Sequence, residues 1–138
     1  MNKKQPKKKQ KESAKKKKKL FYVDVGLYNC GVAVLYGTNK EAEKEYKKTR
    51  FYLEHNYEWA SNNKTGGKTI YGEGIDPFLW INSDIEQYQL QGIIAHEVMH
   101  IVCAICEYKG IEFRTENDEV LAYLTGWITE QIYFKLGL

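Results

Sequence analysis

The chain has 138 residues, of which 43% are hydrophobic and 14% aromatic, and its formal net charge is +3. This length allows one domain with a modest core, and the apolar content excludes a wholly disordered protein. The charge is unevenly divided, because residues 1–19 hold eleven lysines and one acid, which leaves ten basic and seventeen acidic residues in 20–138. We therefore expect a basic arm joined to an acidic folded domain.

Cysteine content and hydropathy bear on where the chain acts. Three cysteines, an odd number, do not indicate a disulfide framework. No run of eighteen apolar residues is present, so no transmembrane helix is predicted. Leu20–Val25 is too short and too polar for the core of a signal peptide. The sequence thus predicts a protein of the reducing cytoplasm, or of a particle assembled there, without membrane contact.

The arm, residues 1–19, is of low complexity and is predicted to be disordered, because its lysines repel one another and nothing apolar can be buried. Such a charge block favours contact with nucleic acid or with an acidic protein surface. The alternative is a tail that only keeps the protein soluble. No aromatic residue stands among the lysines, so stacking on bases is not predicted.

The first half of the folded domain is predicted to form strands and one short helix. Thr38 or Asn39 is placed to cap a solvent-facing helix that ends at about residues 46–48. Strands are predicted where β-branched and aromatic residues concentrate between turn signals. These segments are Leu20–Val25, Val32–Tyr36, Thr69–Tyr71 and Pro77–Asn82, and the first two are expected to form a hairpin.

A long apolar helix is predicted over about 85–108. Ser83 or Asp84 would begin it through a capping box, and Gly110 would end it. Gly92 lies inside this helix, where a glycine lowers stability, so we expect close packing against a neighbouring element at that position.

A last helix is predicted from a cap at Thr115 or Asn117 to about Leu136. Its apolar residues recur with a roughly helical period. The two helices together would form a helix–turn–helix that packs against the strands, which predicts an α+β fold.

The long helix contains the pattern H-E-x-x-H. On an α-helix, His96 and His100 lie one turn apart on the same face, so their imidazoles can bind one tetrahedral metal ion. Glu97 lies about 100° round the axis from His96, where its carboxylate can take a proton from water on the metal without becoming a ligand. The pattern predicts a hydrolytic zinc site, although manganese or iron would accept the same donors. The alternative is an inert, hydrogen-bonded cluster in a buried helix.

Two histidines leave a catalytic zinc site one protein ligand short. The last helix should return alongside the first, and Glu119 in its first turn is the predicted third ligand. Glu116 and Asp118 are the alternatives. Any of these acids could instead bind no metal and only stabilise the helix by interacting with its dipole. Tyr123 shares the face of Glu119, where it could orient a ligand or bind the oxyanion of a transition state.

Cys103, Cys106 and His55 are further candidates for the site. Cys106, six residues after His100, would point about 120° away from the histidines on a continuing helix, so it is not a predicted ligand. Cys103 and Cys106 form a C-x-x-C pattern, but inside an apolar helix they are predicted to pack rather than to act in redox chemistry. His55, the remaining histidine, is predicted to be a surface or packing residue, with a role as donor beside the metal as the alternative.

The motifs around these residues resemble those of known protein families. His96-Glu97-x-x-His100 followed by Glu119-x-x-Ala122 resembles the gluzincin group of zinc metallopeptidases. The last third of the chain is also similar to a set of small phage-encoded zincin-like proteins, which share H-E-x-x-H, Gly-Ile, Asn-Asp-Glu-x-x-Ala-Tyr-Leu and Gly-Trp. All of these short motifs occur here in that order.

The resemblance implies a minimal zincin-like fold over 20–138. A small, mostly antiparallel sheet would pack on the H-E-x-x-H helix and on a C-terminal helix that bears the glutamate. It implies a zinc ion held by His96, His100 and Glu119, with Glu97 as the general base. In zincins the substrate lies extended along a sheet edge beside the active-site helix, and Phe78–Asn82 is the predicted edge. No particular substrate is implied.

The leading hypothesis is a phage-type zinc metallopeptidase, a hydrolase that acts in the host cytoplasm on phage proteins or on a host protein. The alternative is a phage virion structural or assembly protein that keeps a metal site for stability. Its arm, residues 1–19, would then contact nucleic acid or an acidic face of the particle. The presence of Glu97 favours the enzyme, because a purely structural site does not need that carboxylate.

Overall fold

The computed structural model describes residues 17–72 and 74–138. Within these ranges the chain forms a four-stranded sheet and four α-helices, so the predicted α+β class is confirmed. The elements in chain order are β1 (Lys19–Val25), β2 (Cys30–Gly37), α1 (Asn39–Tyr46), α2 (Arg50–His55), β3 (Gly67–Gly72), β4 (Ile75–Asn82), α3 (Leu90–Lys109) and α4 (Asp118–Leu136).

The sheet is mixed and has the strand order β1-β2-β4-β3. β1 and β2 form the predicted antiparallel hairpin, and β3 and β4 are antiparallel as well. β2 and β4 are parallel. The chain between them contains α1, α2 and β3, which provides the long crossover that a parallel pair requires. Two of the three pairings are antiparallel, so the predicted mostly antiparallel sheet is confirmed.

β4 is an interior strand, so the prediction that Phe78–Asn82 forms the sheet edge is wrong. It is paired with β2 on one side and with β3 on the other, and residues 77–82 are all buried. Its apolar run lacks the polar alternation of a half-exposed strand, as is typical of strands covered on both faces. The edges of the sheet are β1 and β3.

Helices cover both faces of the sheet. On one face, α3 and α4 pack on the sheet through mainly aliphatic side chains of the helices and strands, among them Val34, Leu79, Ile81, Ile101 and Ile128. On the other face, α1, α2 and the segment that follows α2 enclose aromatic side chains, namely Tyr46, Phe51, Phe78, Trp80 and the half-buried Trp59. The predicted metal ligands lie on the face covered by α3 and α4.

α1 begins as the sequence predicts. The Thr38 hydroxyl accepts a hydrogen bond from the Glu41 N–H, and the Glu41 carboxylate accepts one from the Thr38 N–H. This reciprocal pair satisfies two backbone donors that the first turn of a helix leaves free.

The start of α3 differs from the prediction. No capping box forms at Ser83 or Asp84; a single 3₁₀ turn leads into the helix, which begins at Leu90 without a side-chain cap. Its end is confirmed, because Gly110 follows α3 in the left-handed region at φ 68°. Gly92 is exposed and nothing lies within 4 Å of a Cβ added there, so the predicted close packing at this glycine is wrong.

Residues 1–16 of the predicted disordered arm lie outside the described residues. Lys18 forms an ion pair of 3.1 Å with Glu45, and Lys19 is the first residue of β1. The last lysines of the arm therefore belong to the folded domain.

Among the described residues, Gln87–Lys109 is long and apolar enough to cross a membrane by length and composition alone. Half of the most apolar eighteen-residue stretch of this segment is buried inside the fold. Helices that form the core of a globular domain have the same composition, and α3 packs against the sheet and α4.

Candidate metal centre

α3 places both histidines of the motif on its exposed face. The Nε2 atoms of His96 and His100 lie 3.2 Å apart, and the His96 side chain is 69% exposed. Two nitrogens bound to one tetrahedral zinc ion at about 2.05 Å stand about 3.3 Å from each other. The two imidazoles therefore already have the separation of two ligands of one ion, and they fit the predicted metal.

Glu97 is the buried acid of the site, with 5% of its surface exposed. Its Oε2 accepts a hydrogen bond of 2.6 Å from the Thr69 hydroxyl on β3. Its Oε1 lies 4.0 Å from His96 Nε2. One carboxylate oxygen is thus held by the protein, and the other lies close to the histidines.

Two consecutive glycines allow β3 to approach α3 this closely. A Cβ at Gly67 would lie 2.9 Å from the Trp80 carbonyl oxygen and 3.2 Å from Glu97 Cγ. One at Gly66 would lie 2.6 Å from Ile93 Cδ1. Larger residues here would push the strand away from the helix and separate Glu97 from its hydrogen-bond donor.

Thr69 contacts Glu97 but is not among the candidate residues that the sequence indicates. Its segment is predicted as a short strand, but its hydroxyl reaches a partner 28 positions away through tertiary packing. The glycines before it were the available signal, since glycine at a strand often marks the close approach of another element.

The third metal ligand stays a prediction. Glu119 and Asp118 are exposed in the first turn of α4, and Glu116 is exposed in the 3₁₀ turn before it. In residues 17–72 and 74–138, no three or more histidine, cysteine, aspartate or glutamate side chains are grouped so that they could hold one metal ion. The structure therefore brings together His96, His100 and Glu97 without adding one of these acids. Tyr123 is exposed on α4, and its role also stays a prediction.

His55 lies away from this site. It is exposed at the end of α2, and its ring stacks on Tyr57 with centroids 5.4 Å apart. α2 packs on the sheet face opposite α3, because Phe51 belongs to the aromatic core and Ile101 to the aliphatic one. His55 is thus a surface residue, and the alternative role beside the metal gains no support.

The cysteines of α3 are free, with Cys103 half-buried and Cys106 buried. Burial raises the pKa of the Cys106 thiol, and the neighbouring Cys103 raises it further. A thiol with a raised pKa is rarely ionised at neutral pH, so it is a weak nucleophile and a weak metal ligand. This agrees with a packing role for Cys106.

Comparisons of the chain with protein-family models, with curated proteins and with solved structures found no match. Its function is therefore inferred from the motifs and from the geometry around His96, His100 and Glu97.

Proposed function

We propose that this chain is a zinc-dependent metallopeptidase in which Glu97 is the general base. The observation that supports this most strongly is the pair of histidine nitrogens at 3.2 Å with a buried carboxylate 4.0 Å from one of them. Burying a carboxylate is costly unless it is paired or hydrogen-bonded. A purely structural metal site has no use for that acid, whereas a hydrolytic site requires it.

The donor set suits zinc. Neutral imidazole nitrogens are common zinc ligands, and His96 and His100 would supply two of them, with Glu119 as the proposed third. When bound, zinc supplies a Lewis acid that polarises a peptide carbonyl and lowers the pKa of water.

Glu97 would perform the proton transfers. Oε1 would take a proton from the water that attacks the peptide carbonyl and deliver it to the amine nitrogen as the C–N bond breaks. Thr69 fixes Oε2, which keeps Oε1 close to the histidines. Thr69 is therefore a positioning residue, because it acts through Glu97.

β3 offers a place for the substrate backbone. It is an edge strand of the described sheet, and its Thr69 contacts Glu97. A peptide can add to such an edge as a further strand, because the backbone groups on the outer side are free to pair. We propose β3 as the strand along which an extended substrate would pass the histidines.

The phage type, the cytoplasmic location and the protein substrate are parts of this proposal that come from the motif resemblance. The alternative, a phage structural or assembly protein, depends mainly on the basic arm. Most of that arm, residues 1–16, lies outside the described residues. The hydrogen-bonded Glu97 favours the enzyme over this alternative.

The test measures metal content and hydrolysis of a mixed peptide library by the wild type, Glu97→Gln and His96→Ala. We expect about one zinc ion per wild-type chain, and a Glu97→Gln variant that keeps the metal but loses activity by about 10²- to 10⁴-fold. His96→Ala should lose the metal. Glu130→Gln, at an exposed position of α4, is the matched control and should behave as the wild type.

Two results would contradict the proposal. A wild type that binds zinc and cleaves no peptide would favour the structural alternative, and a Glu97→Gln variant as active as the wild type would exclude Glu97 as the base. Glu119→Ala in the same series tests the third ligand. It should lose the metal as His96→Ala does, and retention of the metal would assign the ligand to another residue.

A further inference from the structure

A cavity of about 520 Å³ lies between the last two turns of α3 and the end of the sheet. Its volume falls in the range of small-molecule pockets, about 300–1,000 Å³. The side chains and backbone that line it come from β2, β3, β4 and α3, and they include Cys30, Tyr71, Pro77, Ile105, Glu107 and Tyr108.

The cavity lies further along the same two elements, β3 and α3, that hold Thr69 and the histidines. Tyr71 follows Thr69 on β3, beside an irregularity in the strand pairing between Ile70 and Gly72. It lines the cavity together with Ala104 and Ile105, so it lies on the α3 side of the sheet, as Thr69 does. Ala104, which also lines the cavity, lies one turn after His100 on α3. An extended peptide that passes the histidines along β3 would therefore bring a side chain to the cavity two or three residues from the cleaved bond.

The walls are apolar and the rim is acidic. Tyr71 and Tyr108 are about half-exposed beside the cavity, although large aromatic side chains usually find cover. Glu107 is exposed on the same side of α3 as the histidines, and none of the ion pairs among the described residues involves it. Asp76, the other acid at the cavity, is engaged, because it accepts a hydrogen bond of 2.6 Å from Tyr22.

The charge at the cavity also depends on Cys30 and Lys109. Cys30 is 8% exposed, lines the cavity and is free. Burial raises the pKa of its thiol, and Lys109 acts in the opposite direction. Because the net effect is a raised pKa, this part of the cavity wall is uncharged at neutral pH. The Lys109 ammonium lies 4.6 Å from the centroid of the Tyr108 ring. Two carboxylates against one ammonium leave the rim with a net negative charge.

We propose that this cavity is a specificity pocket for a lysine or arginine side chain of the peptide substrate. The aliphatic stem would lie against Tyr71, Ile105 and Tyr108, and the cationic group would pair with Glu107 at the rim. Long basic side chains combine an apolar stem with a charged end, and aromatic faces attract cations. This inference rests on the proposed function, because the peptide reaches the cavity only along β3.

The test compares matched peptides that carry lysine, norleucine or glutamate at each position near the cleaved bond. At one position, two or three residues from that bond, the wild type should cleave the lysine peptide about five- to tenfold faster than the norleucine peptide, as expected for a partly exposed hydrogen-bonded ion pair. Glu107→Gln should bring this ratio near one, and Glu107→Lys should favour glutamate. Glu130→Gln is the control and should keep the wild-type ratio.

A second measurement separates the pocket from the chemistry. In the Glu97→Gln background, site-resolved alkylation of Cys30 is followed by mass spectrometry without peptide and with each peptide. The lysine peptide should slow labelling of Cys30 more than the norleucine peptide, and Glu107→Gln should remove the difference.

The possible failures can be told apart. Protection of Cys30 by the lysine peptide with no cleavage by the wild type would support the pocket and overturn the peptidase. Cleavage without a lysine preference, or a preference that survives Glu107→Gln, would overturn the pocket and leave the peptidase standing.

Discussion

The aromatic core and the candidate metal centre use their polar groups in opposite ways. On the aromatic face, the ring N–H or O–H of Trp80, Tyr46 and Trp59 each donates to an acceptor of the same chain at 2.6–2.9 Å. These bonds join the aromatic core to the loops around it. At the candidate metal centre, the Nε2 atoms of His96 and His100 lie 3.2 Å apart, and Glu97 Oε1 lies 4.0 Å from His96 Nε2. The other oxygen of Glu97 accepts a hydrogen bond from one hydroxyl, that of Thr69.

This difference predicts which substitutions should affect stability and which should affect activity. Polar groups that are fully paired inside the chain stabilise the fold and are closed to a ligand. Polar groups that converge at the surface without full pairing are free to bind one. We therefore expect substitutions in the aromatic core to lower the free energy of unfolding and substitutions around Glu97 to lower activity first.

The largest expected effect is the loss of stability in Trp80→Ala. Trp80 is fully buried, and its indole N–H donates to the Gly37 carbonyl at 2.9 Å. Its removal should lower the free energy of unfolding by about 3–5 kcal/mol, measured by urea denaturation. Tyr88→Ala, at a side chain that is 83% exposed, is the control and should change it by less than about 0.5 kcal/mol. A cost near that of the control would show that the aromatic face is not the main stabilising core.

A pair of glycine substitutions tests the contact between β3 and α3. Gly67→Ala places a Cβ 3.1 Å from Ile93 Cγ2 and 3.2 Å from Glu97 Cγ, both on α3, and 2.9 Å from the Trp80 carbonyl oxygen of β4. It should therefore cost about 1–3 kcal/mol of unfolding free energy. Gly92→Ala, inside α3 with open space around it, should be neutral or stabilise by up to about 1 kcal/mol. Thermal denaturation measures both, and equal effects would mean that β3 does not approach α3 closely.

Several features that depend on residues close together in sequence were predicted correctly, although the capping box expected at Ser83 or Asp84 does not form. The helix cap expected at Thr38 or Asn39 forms at Thr38, and the hairpin of β1 and β2 and the end of α3 at Gly110 also depend on local chemistry. The positions of His96, Glu97 and His100 on one helix were likewise predictable, because helix geometry fixes their relative directions.

Features that depend on tertiary packing were not predicted. The place of β4 inside the sheet follows from the crossover through α1, α2 and β3, although its uninterrupted apolar run was a usable sign. The hydrogen bond from Thr69 to Glu97 joins elements that only the fold brings together. Helix spacing alone likewise could not decide whether Glu119 reaches the histidine pair.

Thr69→Val tests the role of this hydroxyl at nearly constant side-chain volume. The change leaves one oxygen of the buried Glu97 without its donor, which should cost about 1–3 kcal/mol of unfolding free energy. It should also lower the rate of peptide hydrolysis, because the carboxylate loses its fixed orientation. Thr69→Ser keeps the hydroxyl and is the control. If Thr69→Val hydrolyses peptides as fast as Thr69→Ser, Thr69 does not position the base.

The smallest expected effect concerns Tyr22, on the edge strand β1. Its hydroxyl donates to Asp76 at 2.6 Å, and burial together with this carboxylate raises the pKa of the phenol. Because the folded-state pKa lies above the unfolded one, the stabilising contribution is complete below about pH 10 and is lost as the pH rises through the folded-state value. The ring is about half-exposed, so Tyr22→Phe should cost no more than about 1 kcal/mol at neutral pH.

Urea denaturation at neutral and at alkaline pH measures this contribution. The difference between the wild type and Tyr22→Phe should shrink as the phenol ionises, and ultraviolet titration should lack one late-titrating tyrosine in the variant. Tyr108→Phe, at a tyrosine for which no intramolecular hydroxyl bond is seen in the described part of the chain, is the matched control. A Tyr22→Phe variant as stable as this control would show that the hydrogen bond to Asp76 adds nothing, and that internal pairing of polar groups stabilises the aromatic core but not the edge strand beside it.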